Sequence, residues 1–437
     1  MDNSKKFFFT GCHVVFAIVV LLFINVHPVF SQDDDEDTYN PQYSSPFAQP
    51  KFVPNISLIM DFSYAYRDVR DEEYQQYVIP GLMDAHGSFD EDKGLFDYSD
   101  SAGRGFNLNY GELNLQSAVD PYFDLFANFT LEEEAFSVEE LYFSTRGLPL
   151  DLQLKVGKFL SSFGRLNPQH EHFWDFNDLP VVYNAFFGDG IDEKGVQITW
   201  LAPFDFYLMI GGEILQGENE TSFGNEGFTV EASGLRINRS REPNLYTGFI
   251  KTSLDTDDLI VLAGVSSAVG KARIENGVND DADGFAIDAC TAVYGADLTV
   301  KYLIDSYRYI SLQGEYLYRD MHGSQYEFNG TRSDLEKKQS GLYAQLVVKP
   351  FLQWRFGVRY DLLHRNEVSR DDVRDTELPE NTDRYAAMIE YNFTEFSRFR
   401  LQYNHDRTKY YADERKTVHE IVFACNLAIG AHGAHKF

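Results

Sequence analysis

The chain has 437 residues, of which 38 are basic and 68 acidic, for a formal net charge of -30, and 15% of it is aromatic. That balance excludes nucleic acid as a partner, because binding a polyanion needs a basic surface. Of the three cysteines, Cys12 lies in the N-terminal leader, while Cys290 and Cys425 suit neither a redox centre nor a zinc ligand pair.

Read in chain order, Lys5 and Lys6 precede an apolar run from Val14 to Ile24, followed by Val29, Phe30 and Ser31. This is the layout of a secretory signal peptide over residues 1–31. Beyond Ser31 no apolar stretch approaches the roughly 20 residues that a spanning helix needs. Residues 32–54 are an acidic run and then Pro- and Ser-containing sequence without periodicity, which predicts a flexible periplasmic tail. A plug domain of some hundred residues would not fit there.

From Asn55 the chain alternates with period two. Ile56, Leu58, Met60, Phe62, Tyr64 and Tyr66 share one face, and Ser57, Asp61, Ser63 and Arg67 share the other. The same pattern returns in Trp354, Phe356, Val358 and Tyr360 against Arg355, Arg359 and Asp361, in Tyr385, Ala387 and Ile389, and in Ile421, Phe423, Cys425, Leu427 and Ile429. About sixteen strands follow, near 55–67, 105–117, 122–131, 137–145, 150–160, 193–201, 204–217, 244–254, 258–269, 288–302, 306–320, 337–349, 352–364, 382–393, 397–409 and 415–430. Tight turns such as Val119-Asp120-Pro121 and Lys349-Pro350-Phe351 alternate with long connections near 68–104, 161–192, 218–243, 270–287, 321–336 and 365–381. Short turns on one rim and long loops on the other define an all-β, antiparallel transmembrane β-barrel over residues 55–437, embedded in outer-membrane lipid. A soluble β-sandwich has no reason to sort its loops by parity.

The third long-rim loop stands apart. Residues 161–192 carry Phe163, Phe173, Trp174, Phe176, Leu179, Tyr183, Phe186 and Phe187, too much apolar surface to leave in water. The loop is therefore expected to fold against the inside of the barrel and form a constriction, with Glu171, Trp174, Asp175, Asp178 and Asp189 at it. Inward positions on late strands supply an arginine wall: Arg355, Arg359, Arg384, Arg398 and Arg400, with Asp361 and Glu390 among them. Loop acids facing that wall would set up a transverse field acting on small polar solutes or ions. The alternative is that these arginines pair with neighbouring acids and hold the wall.

His170-Glu171-His172 also permits a zinc reading, with His432 and His435 as further ligands. Asn279-Asp280-Asp281-Ala282-Asp283-Gly284 matches half of a calcium loop, but position twelve would be Cys290 and strands flank it. No nucleophile elbow, metal-hydrolase helix or phosphate-cradling glycine loop is present, so the chain does not read as an enzyme.

Gly157-Lys158-Phe159, the stretch Leu166 to Phe176, Asp178-Leu179-Pro180-Val181-Val182, Glu193-Lys194-Gly195-Val196-Gln197 and the ending Ile429 to Phe437 resemble a group of bacterial outer-membrane barrels. That group is often labelled zinc-regulated TonB-dependent outer membrane receptor and is similar in form to the phosphate-selective porins O and P. The resemblance implies an outer-membrane channel connected with metal supply, with a terminal aromatic, Phe437, that marks assembly into the outer membrane. By the same analogy the barrel would be a homotrimer. A phosphate-selective pore wants a basic lumen, whereas this chain is acidic and its basic patch is confined to a few strands. Two functions fit the sequence: a channel for small polar or charged solutes, and a zinc-binding receptor or uptake barrel.

Overall fold

The computed structural model of the chain describes residues 54–82, 88–90, 95–97, 103–133, 135–219, 221–279 and 284–430. The expected signal peptide, nearly all of the tail, the core of the Asn279–Gly284 stretch, His432, His435 and Phe437 lie outside the described residues.

Sixteen long strands form the molecule: β1 (Asn55–Arg67), β2 (Gly105–Ala118), β3 (Phe123–Leu131), β4 (Phe136–Thr145), β5 (Leu152–Leu160), β6 (Asp192–Leu201), β7 (Tyr207–Leu215) and β8 (Leu245–Asp255), then β9 (Leu259–Asn276), β10 (Phe285–Leu303), β11 (Tyr309–Glu327), β12 (Arg332–Lys349), β13 (Trp354–Arg370), β14 (Thr382–Thr394), β15 (Ser397–Asp406) and β16 (Val418–Gly430). Each pairs antiparallel with its sequence neighbour, and β1 also pairs with β16, Leu58 lying opposite Ile429 and Arg67 opposite Glu420. The sheet is a closed barrel, which leaves no strand edge to template association. A two-residue ribbon at Val373–Arg374 pairs only back onto β13.

Period-two alternation fixes which face looks outward. Ile56, Phe62, Tyr64 and Tyr66 of β1 are exposed on the outside while Ile59, Asp61, Ser63 and Arg67 are buried within. The outer belt continues through Phe356, Val358, Tyr385, Ile389, Leu401, Tyr403, Ile421 and Phe423. An inside-out polarity of this kind is stable only with lipid outside. No helix among the described residues is long and apolar enough to cross a membrane.

The connections sort by rim, with two corrections. On one rim the turns have two to six residues; on the other, loops 1 to 8 occupy 68–104, 132–135, 161–191, 216–244, 277–284, 328–331, 371–381 and 407–417. Loops 2 and 6 are therefore as short as turns. Moreover, β9 to β13 run 17–19 residues and take in most of what the sequence assigns to long loops near 270–287, 321–336 and 365–381. Crossing lipid takes roughly 9–11 residues, so these strands stand well above it. There the outward row Lys271, Cys290, His322, Glu336 remains in register across four strands. The ladder persists where water replaces lipid, but the apolar alternation that betrays it stops.

Candidate functional site

Loop 3 crosses the lumen, held at its base by two inward carboxylates. Glu213 of β7 accepts from the Ser162 amide at 2.8 Å, Gln197 Nε2 at 2.7 Å and the hydroxyls of Ser161 and Thr247. Glu315 of β11 accepts from the Arg165 and Leu166 amides at 3.0 and 2.9 Å and from the Tyr183 and Tyr343 hydroxyls at 2.8 and 2.7 Å. Four donors on one buried carboxylate replace the water it gave up. Gly164 makes the turn between these posts with φ +61, and a Cβ there would lie 2.3 Å from Glu315 Oε2.

The loop then forms α1 (Val181–Phe187), in which all but Asn184 are buried. Its two valines are poor helix formers, so packing decides the conformation. Val182 fits against Gly341 of β12, where a Cβ would come within 2.8 Å of it. Phe163, Leu166, Phe186 and Phe187 complete one apolar core with Phe159, Val293, Leu317 and Leu363 of the wall. Each such side chain taken out of water contributes about 1.5–3 kcal/mol.

Two other loops join that core. Ile79 and Leu82 of loop 1 and Phe223 of loop 4 are buried in it. Gln339 Nε2 donates to the Gly81 carbonyl at 2.7 Å and Asn366 Nδ2 to the Pro80 carbonyl at 2.8 Å. Arg319 Nη1 donates to Ser222 Oγ at 3.0 Å. The signal for these insertions was present in Val78-Ile79-Pro80-Gly81-Leu82, an apolar run inside an otherwise polar loop.

The arginine wall is where parity placed it, and it binds loop 3 directly. Arg355 pairs with Asp175 and with Glu390. Arg359 reaches Asp178 at 2.9 Å and Asp361 at 3.1 Å, and Arg384 reaches the same two carboxylates at 2.7 and 3.1 Å. Arg400 Nη2 donates to the Trp174 carbonyl and to Glu390, both at 2.8 Å, and Arg398 Nη1 donates to the His172 carbonyl at 2.9 Å. Burial opposes the charge of Asp178, but Arg359 and Arg384 outweigh it and hold the carboxyl below the usual carboxylate range. The expected pairing of wall and loop is thus realised, as is the pairing of arginines with strand acids. Asp175, Arg355 and Arg359 serve as anchors and do not line the cavity.

The opposite edge of loop 3 meets an acidic wall. His170 lies between Glu139, 3.2 Å from Nδ1, and Glu140, 2.9 Å from Nε2, and His172 Nδ1 is 2.8 Å from Glu112. The imidazoles stack with 5.7 Å between centroids. Burial works against a charged His170, but Glu139, Glu140 and Glu112 overcome it and raise its pKa well above the ordinary histidine value. One ligand atom each from Glu112, Glu139 and His170 lie within 4.8 Å of one another. Glu171 turns away from the histidines. Its side chain lines the cavity inside the barrel; that enclosure and the carboxylates of Glu139, Asp61, Asp189 and Glu112 push its pKa up to about 8. Glu171 and Asp189 therefore lie among carboxylates, and both line one cavity with Arg384, Arg398 and Arg400.

Between the two walls is a cavity of about 930 Å³. It is lined by Glu171, Trp174, Asp178 and Asp189 of loop 3 and by Arg384, Arg398 and Arg400, together with Asp61, Tyr110 and Glu139, which the sequence reading did not single out. The lining runs from Glu132 and Glu133 in loop 2 to Arg398, one residue from the short-turn end of β15.

A closed sixteen-stranded antiparallel barrel, apolar outside and filled from one rim by its own loop, is a porin-like outer-membrane β-barrel. No family model matches the chain. It belongs to one family with an uncharacterized protein of Aquifex aeolicus, 50% identical over 393 residues that cover 90% of this chain and 82% of that protein. Among solved structures, OmpT, an outer membrane protein of Vibrio cholerae, aligns at 10% identity over 86% of this chain and 98% of its own, with a TM-score of 0.49. The outer membrane channel DcaP of Acinetobacter baumannii gives the same identity and TM-score over 86% and 97%, and OprB of Pseudomonas putida 10% identity and 0.48 over 86% and 94%. The comparisons lend no support to the label of a zinc-regulated, TonB-dependent receptor.

Proposed function

We propose that the protein is a secreted outer-membrane channel for small polar or charged solutes, with loop 3 as its constriction. The observation that carries this reading is the geometry of the insertion: loop 3 is fixed to both walls and leaves beside it a polar cavity of about 930 Å³. Glu171, Trp174, Asp178 and Asp189 border that space from the loop, and Arg384, Arg398 and Arg400 from the wall. Residues 1–31 are the export signal, residues 32–54 a periplasmic tail, and three copies assemble in the membrane. Conductance of the purified protein in a planar bilayer tests the reading; a protein that inserts but shows no openings in any salt would overturn it.

A second reading is metal binding at the edge of loop 3. It is favoured by the grouping of Glu112, Glu139 and His170, a nitrogen and carboxylate set that suits zinc. Against it, His170 and His172 already have carboxylate partners that hold them without an ion. Zinc affinity measured by calorimetry on wild type and on His170→Ala with His172→Ala separates the two, and equal affinities would reject the metal reading.

A further inference from the structure

We infer that the passage beside loop 3 takes cationic solutes in preference to anions, and that small organic cations, ammonium or guanidinium compounds, are among those it admits. The inference rests on the channel reading and adds the class of solute.

Among the described residues, ten carboxylate side chains line the cavity against four cationic ones. What decides the sign of the field is that the cations are already committed. Arg384 is clasped by Asp178 and Asp361 at 2.7 and 3.1 Å. Arg400 sits 2.8 Å from Glu390, and Arg398 lies 4.0 Å from the same carboxylate. Lys409 has Asp406 and Glu420 as its acidic neighbours. Behind the lining, Asp361 and Glu390 are matched by Arg359 and Arg355, so the excess of carboxylates in the lining itself sets the sign. Across the space, Asp61, Glu132 and Glu133 face the cavity, and Glu139 is shared with His170. Low-dielectric walls concentrate such a field inside a confined space.

A second, independent feature is aromatic. Tyr77, Tyr110 and Trp174 line the same cavity as the carboxylates. Ring faces beside carboxylates attract a poorly hydrated cation twice, by charge and by the ring quadrupole. A strongly hydrated inorganic anion gains from neither.

Reversal potentials across a planar bilayer under a potassium chloride gradient read the preference. A lining potential of only about one kT per unit charge already predicts a cation-to-anion permeability ratio on the order of ten, because cations gain what anions lose. Replacing potassium by choline, then by arginine at neutral pH, should leave a measurable inward cation current, whereas replacing chloride by glutamate should change the reversal potential little. Converting Glu132 and Glu133 together to Gln should move the ratio toward one, with conductance and strand content retained. A ratio below one in the wild type, or a ratio unmoved in the double variant, overturns the inference and leaves the channel intact. Absence of any conductance overturns the channel reading itself, and this one with it.

Discussion

Asp178 is the residue on which the docking of loop 3 depends most. Its carboxylate accepts from Arg359 Nη2 at 2.9 Å, Arg384 Nη1 at 2.7 Å and Gln402 Nε2 at 2.7 Å, while Arg359 and Arg384 also donate to the Asp178 and Leu179 carbonyls. In Asp178→Ala, two buried guanidinium groups keep Asp361 as the one carboxylate hydrogen-bonded to both. Breaking a buried pair by removing one partner costs about 3–5 kcal/mol, which is roughly two to three and a half powers of ten in the equilibrium between docked and undocked loop. The barrel ladder makes no use of this carboxylate, so the change is local. Hydrogen exchange followed by mass spectrometry in detergent reads it. Peptides covering residues 174–184, including the Asn177 amide bonded to Gln402 and the Val181 amide bonded to Asp361, should lose protection by that factor, while β13 and β14 keep theirs. Single-channel conductance should rise as the loop leaves the lumen. Unchanged exchange in residues 174–184 would refute the anchor, whatever the conductance does.

The pH dependence follows from the same residue. Because its folded pKa lies below the ordinary 3.8, the stability it lends is complete above that value and is lost as pH falls through the lower one. Loop protection should thus hold from neutral pH to about 4 and fail only beneath it; loss between pH 7 and 5 in the wild type would contradict the assignment. Gly164→Ala forces a Cβ into a left-handed position at about 1–2 kcal/mol and against Glu315, so the Arg165 and Leu166 amides should exchange faster, and identical rates would count against Glu315 as the post. Ile389→Arg places a charge on the lipid belt and should lower folding stability in bilayers by about 2–4 kcal/mol, whereas Val373→Arg in loop 7 should be neutral; equal effects would reject the outward assignment.

The barrel was legible because lipid imposes a rule on every second residue. Where Ile56, Phe62 and Tyr64 face hydrocarbon, no polar substitute is stable, and the period survives in the sequence. All sixteen strands follow from it. The same rule explains the error at β9 to β13: above the membrane the outward row is Lys271, His322 and Glu336, water tolerates any residue there, and the ladder continues on backbone hydrogen bonds that leave no trace in side-chain pattern. Loop 3 was legible for the converse reason, since its aromatic residues break the rule for an exposed loop.

The lumen obeys no comparable rule, and this limits what the sequence reveals of the site. An inward carboxylate that clamps a loop, such as Glu315, and one that lines open space, such as Asp61, occupy the same parity and have the same composition; only the four donors converging on Glu315 distinguish them, and those come from residues as distant as Arg165 and Tyr343. Parity correctly turned Arg355, Arg359, Arg384, Arg398 and Arg400 inward. It could not say which of their charges remain, because that depends on Asp175 and Asp178 arriving from a loop about 180 residues earlier in the chain. In the proposed channel the sign of the field a solute would meet is therefore a property of the pairing and not of the residue inventory: with the arginine wall paired, the acidic side would act.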